Sequence, residues 1–150
     1  MAHLSDEPTL RLGHPFRAWL TAGVAATAAL GRFESLERLL LGREPSYAPA
    51  RVAQRLFGSR HFGPLLRWTY GPALGVAYGA LRSRISVPAL AFGAAIATVE
   101  LLAMPRVGAT PPIRGREAIA LFLHAAAFAV AAEAALSQAA RSVSRRATTV

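Results

Sequence analysis

The sequence predicts an all-α fold, a four-helix transmembrane bundle with a short interfacial amphipathic helix between spans 1 and 2. Three observations carry that expectation. The 150 residues are 53% hydrophobic and only 17% charged, against about 25% charged in ordinary soluble domains. Long charge-free runs recur along the chain, at Ala18–Gly31, Trp68–Leu81, Ile85–Val99 and Ala118–Ala132. The cationic side chains fall at the ends of those runs, and all 17 of them are Arg.

Each run is read as a helix because backbone polar groups in hydrocarbon must be paired within their own segment. The third run continues past Glu100 to Pro105 and the fourth past Glu133 to Ala140, which makes 21 and 23 residues. About 20 residues cross ~30 Å of hydrocarbon. The first two runs hold 14 residues each and need their flanks. Arg17, Arg67 and Arg82 can snorkel there, while Trp19, Trp68 and Tyr70 suit the headgroup level. The expected spans are 16–40, 64–82, 86–105 and 117–140, followed by a basic tail over 141–150. Pro15 and Pro88 suit first-turn positions, with Ser86 as a cap near the latter. The Pro105–Pro112 stretch breaks any helix and connects the last two spans. Between the first two, Pro49 starts a helix over 49–58. Val52, Ala53, Leu56 and Phe57 share one of its faces and Arg51 and Arg55 the other, the pattern of a helix lying in the headgroup plane.

Composition excludes several chemistries. The chain has no Cys, so disulfides, thiolate metal sites and cysteine nucleophiles are absent. A formal charge of +9 invites a nucleic-acid reading, but the Arg residues do not line one helix face with interleaved aromatics. Anionic lipid headgroups account for the charge better, so lipids are expected partners and nucleic acid is not. A cleaved signal peptide would fit Ala26-Thr27-Ala28 as its cleavage site, but Asp6, Glu7 and the charged helical continuation to Leu41 argue against it. A soluble bundle rich in Ala is the remaining competitor, because Ala barely favours insertion. Orientation stays open: four spans put 7 Arg on the side of the termini and 10 on the other, and seven of those ten share one long connection with three Glu.

Two features lie inside the spans. Gly71, Gly75 and Gly79 recur at every fourth position, a small-residue stripe that lets helix backbones approach closely. The stripe fits neighbouring helices or a second copy of the chain. Ionisable residues also collect at one end. Glu100 lies ~7.5 Å before the close of span 3, and His124 lies ~10 Å into span 4 from the same side. Glu34, Glu37 and Arg67 reach that side from spans 1 and 2. Glu133, ~13.5 Å beyond His124, belongs near the opposite interface. The cluster of Glu34, Glu37, Arg67, Glu100 and His124 reads as structural hydrogen bonding, as a polar cavity, or as a metal or hydrolytic site. A Glu–His pair can respond to pH. No metal-ligand spacing, catalytic triad or phosphate loop is visible, so neither catalytic residues, cofactor nor metal are expected.

The stretch Glu100-Leu-Leu-Ala-Met-Pro105-Arg-Val-Gly108-Ala-Thr110-Pro111-Pro112, followed by Glu117, His124 and Glu133, resembles the second half of the YagU-like bacterial inner-membrane family. Ala22-Gly23-Val24 through Glu34 is similar to that family's opening helix, and the likeness covers about half the chain. Arg67 stands near where the family tends to place a His, and Pro49-Ala50-Arg51 only echoes its Pro-Pro-Arg element. The resemblance implies a multi-pass protein of the bacterial inner membrane with cytoplasmic termini, and draws attention to Glu34, Glu100 and His124.

The expected role is therefore non-enzymatic. The chain reads as a small multispan protein packing with itself or with a membrane partner protein. A proton- or ion-coupled carrier or pH sensor using Glu100 and His124 is the alternative, and a membrane-embedded enzyme acting on lipid is third.

Overall fold

The computed structural model of the chain describes residues 9–41, 48–108, 110 and 112–147. Within them the elements are α1 (Thr9–Leu41), α2 (Ala48–Phe57), a 3₁₀ turn (Arg60–Phe62), α3 (Gly63–Arg82), α4 (Ala89–Arg106) and α5 (Arg116–Ala147). The fold is all-helical, with no strand among the described residues. Of these helices, α4 and α5 are long and apolar enough to cross a membrane. The other two long helices are poorer in strongly apolar residues. Between Arg67 and Arg82, α3 carries three Gly, a Pro, a Thr, a Trp and two Tyr.

Several boundaries differ from the sequence expectation. Pro15 does not open α1 but lies inside it, where it removes one main-chain donor near a helix start and leaves the later turns intact. Pro88 is the N-cap of α4, in an extended conformation, and neither it nor Ser86 supplies a side-chain cap. Pro105 does not stop α4, which runs one residue past it; the reversal comes at Gly108, whose φ of 69° suits a residue without Cβ. The basic tail is helical as far as Ala147. In α2, Ala53 is buried whereas Leu56 and Phe57 remain outside, with Phe57 edge-on to Phe62 at 5.6 Å.

Packing follows the small residues. The helix α1 lies between α3 and α5, and α4 packs on the far side of α5. The core joins Ala22, Ala26, Ala97, Ala125 and Ala132 to Tyr78, Phe128, Ile96 and Leu136. Large apolar side chains point the other way: Leu90, Val99 and Ile119 are each 62% exposed, and Leu102, Leu123 and Val130 are at least half exposed. Small residues inside and large ones outside is the reverse of a water-soluble core.

The α1–α3 seam is antiparallel and steps by four residues on both helices. Gly79 faces the Trp19 ring, Gly75 faces the Gly23 backbone, Gly71 faces Thr27, and Gly31 faces the Arg67 guanidinium. At the first three steps a Cβ on the α3 glycine would overlap its neighbour. Thr27 keeps its hydroxyl satisfied by donating to the Gly23 carbonyl at 2.7 Å. The α3 stripe therefore packs within the chain, and α1 carries a matching one, Gly23, Thr27, Gly31 and Ser35, at the same spacing.

This geometry separates two substitutions. Gly75→Leu must push apart two backbones and is expected to cost at least the ~1–3 kcal/mol of an overpacked core. Gly31→Ala places its Cβ 3.5 Å from Arg67 Nη2, an ordinary contact, and should be neutral or stabilise by up to about 1 kcal/mol through helix propensity. Thermal unfolding of both variants in a mild detergent measures the difference.

Candidate functional site

The polar residues at the Arg67 end of the seam connect through every long helix. The Arg67 guanidinium lies beside Gly31 of α1, and Arg67 Nη1 donates to Glu34 Oε2 at 2.7 Å. One turn further along α3, the Tyr70 hydroxyl interacts electrostatically with the Glu100 carboxylate of α4. Glu100 in turn interacts electrostatically with His124 of α5. The His124 ring meets Phe33 of α1 edge-on, with centroids 5.3 Å apart. The path from α1 to α3, α4, α5 and back to α1 is a closed ring of side chains.

The chemistry of His124 follows from its neighbour. Its Nδ1 lies 2.7 Å from the Ala120 carbonyl oxygen. A carbonyl only accepts, so Nδ1 is the donor in this contact. Arg67 has a second nitrogen, Nη2, buried without a hydrogen-bond partner, and Thr110 Oγ1 is in the same condition. Such groups cost ~1–3 kcal/mol when left dry.

Of the residues singled out from sequence, Glu34, Arg67, Glu100 and His124 thus meet at one end of the bundle. The side chain of Glu37 lies outside the described residues. Two ring members were not selected by the sequence reading. Tyr70 was assigned to a headgroup belt, although it lies three residues from Arg67 and so near it on the helix surface. Phe33 precedes Glu34 and bears no charge to draw attention.

A second polar group closes the opposite end. Tyr78 is the largest fully buried side chain, and its hydroxyl donates to Glu133 Oε2 at 2.7 Å. Glu133 Oε1 is ion-paired with Arg82 Nη2 at 2.8 Å and accepts from Ser137 Oγ at 3.0 Å. The tilted stacking of Tyr78 on Phe92 at 4.7 Å carries the contact to α4. Sequence spacing sets Glu133 apart from the His124 cluster, and its neighbours here are those of the Arg82 end. The signal for this group was the parallel course of α3 and α5, which brings Arg82 and Glu133 to matching depths.

Among the described residues no three His, Asp or Glu side chains gather as a metal ion requires, and the Ser and Thr hydroxyls at 2.7–3.0 Å mostly bond to carbonyls of their own helix. Comparison of the chain with family models, with curated proteins and with solved structures finds no match.

A double-mutant cycle tests the Arg67–Glu34 link. Each of Arg67→Met and Glu34→Gln strands a partly buried partner and should cost about 1–3 kcal/mol. The double variant removes both charges and should lose less than the two single losses added together. Additive losses, read from thermal or denaturant unfolding, would remove this pair from the ring.

Proposed function

We propose that this chain is a non-enzymatic, multi-pass protein of a bacterial inner membrane, with four spans formed by α1, α3, α4 and α5. Its polar ring acts as an intramembrane tie between helices. The observation that supports this reading is the placement of apolar side chains. The apolar windows of α4 and α5 have only 22% and 28% of their residues buried within the chain. A core helix of a soluble protein hides most of its apolar surface, whereas these helices turn Leu90, Val99, Ile119 and Leu123 outward. Water would penalise such a surface by roughly 25 cal/mol per Å²; lipid accommodates it. The shorter apolar lengths of α1 and α3 fit a span whose flanking Arg17, Arg67 and Arg82 reach toward headgroups.

In lipid the hydrophobic effect no longer draws helices together, so close backbone packing and polar links take over. The α1–α3 seam supplies the first and the ring supplies the second. Kinship with the YagU-like family belongs to this reading and rests on the Gly108–Pro112 connection with Glu34, Glu100 and His124. The exposed apolar faces of α4 and α5 are where lipid, a second copy or another membrane protein would lie.

One contact favours a second reading, a proton-responsive pair. Glu100 interacts electrostatically with both Tyr70 and His124, so a change in the charge of Glu100 alters the coupling between α3, α4 and α5.

Membrane residence is tested by washing membranes from expressing cells at alkaline pH. The protein should stay in the pellet and dissolve only with detergent; release as a dissolved monomer contradicts the proposal. The second reading predicts a pH-dependent change in tryptophan fluorescence in reconstituted vesicles that Glu100→Gln abolishes while helicity is kept. A response unaltered by Glu100→Gln removes that reading and leaves the structural one standing.

A further inference from the structure

Beyond the ring, the Arg82 end of the bundle holds an open groove of about 660 Å³ between α1, α3 and α5. Its floor is Gly79 and Leu136, both buried, and one wall is the Trp19 ring seated over Gly79. Ala139 continues the apolar lining, and Arg17 and Arg82 stand at the rim. The volume lies within the ~300–1,000 Å³ typical of small-molecule sites.

We infer that this groove binds one anionic phospholipid, its phosphate held by Arg17 and Arg82 and an acyl chain laid along Trp19, Leu136 and Ala139. Charge complementarity selects this occupant. Among the described residues Glu133 is the one carboxylate at this end, and it is committed to Arg82, Tyr78 and Ser137. Arg17 and Arg82 line the groove, Arg84 and Arg141 are chain neighbours of the lining residues Ser83, Ala140 and Ser142, and all four Arg are exposed. The surplus is cationic. A basic pocket between helices is a recognised form of anionic-lipid site. The apolar floor and wall distinguish a lipid from free phosphate, because they offer an inorganic ion nothing. Glu133 has a defined part here: it fixes the Arg82 guanidinium at the groove rim, so less ordering entropy is lost when a headgroup binds.

The inference rests on the membrane reading, and its test keeps the two apart. The full chain is purified in an uncharged maltoside detergent, and thermal unfolding is followed with added phosphatidylglycerol, phosphatidylcholine or inorganic phosphate. Phosphatidylglycerol near 100 times its dissociation constant should raise the midpoint by on the order of 5 °C, with little effect from the other two. Arg17→Gln, a substitution at an exposed position, should remove most of that rise, and Ala139→Trp, which fills the groove and leaves the charges, should reduce it. An equal rise with phosphatidylcholine or with phosphate, or a rise that survives both substitutions, overturns the site. Recovery of the chain in detergent-free buffer would instead overturn membrane residence, independently of Arg17.

Discussion

The contact between Gly75 and the Gly23 backbone is the constraint from which the rest of this structure follows. Two helices can approach that closely only where neither presents a side chain. Once they do, the four-residue step on each fixes their register. That register seats Trp19 over Gly79 at one end and sets Arg67 across Gly31 toward Glu34 at the other. The polar ring is thus a consequence of the small-residue seam. A one-step slip of four residues would carry the Arg67 guanidinium ~6 Å along α1, away from its carboxylate.

The two polar groups do different work. At the Glu34 end the links run helix to helix around the bundle, through Tyr70, Glu100, His124 and Phe33. They bind α4 to α3, whose backbones are otherwise sparsely in contact. At the Arg82 end one carboxylate accepts from Tyr78 and Ser137 and pairs with Arg82, and the other charged side chains described there are Arg. The first group consumes charge to hold helices together; the second concentrates charge beside a groove. Both lie at ends of helices whose outer faces are apolar; in the membrane proposed for this chain, the cost of an ionisable side chain would be lowest there.

Much of this was legible in the residues. Charge-free apolar runs locate α4 and α5, the two helices long and apolar enough to cross a membrane, and counting along helices brings Glu100 level with His124. The helix α2 was visible in the alternation of Arg51 and Arg55 with Val52, Ala53 and Leu56. Less legible was where helices end. Pro15 and Pro105 read as punctuation, yet each sits inside a helix. Partners across the bundle were harder still. Tyr70 and Phe33 enter the ring through tertiary packing, which no spacing in one helix encodes, and the α1 stripe at Gly23, Thr27 and Gly31 is masked by a Thr that reads as polar rather than small.

The antiparallel α1–α3 register is open to one direct measurement, since the chain has no Cys and introduced thiols stand alone. In intact membranes, Glu34→Cys with Arg67→Cys should join within one chain through a short bis-maleimide, while Glu34→Cys with Arg82→Cys should not. Linking of the second pair in preference to the first, or linking of the first only between chains, would contradict the seam and the ring built on it.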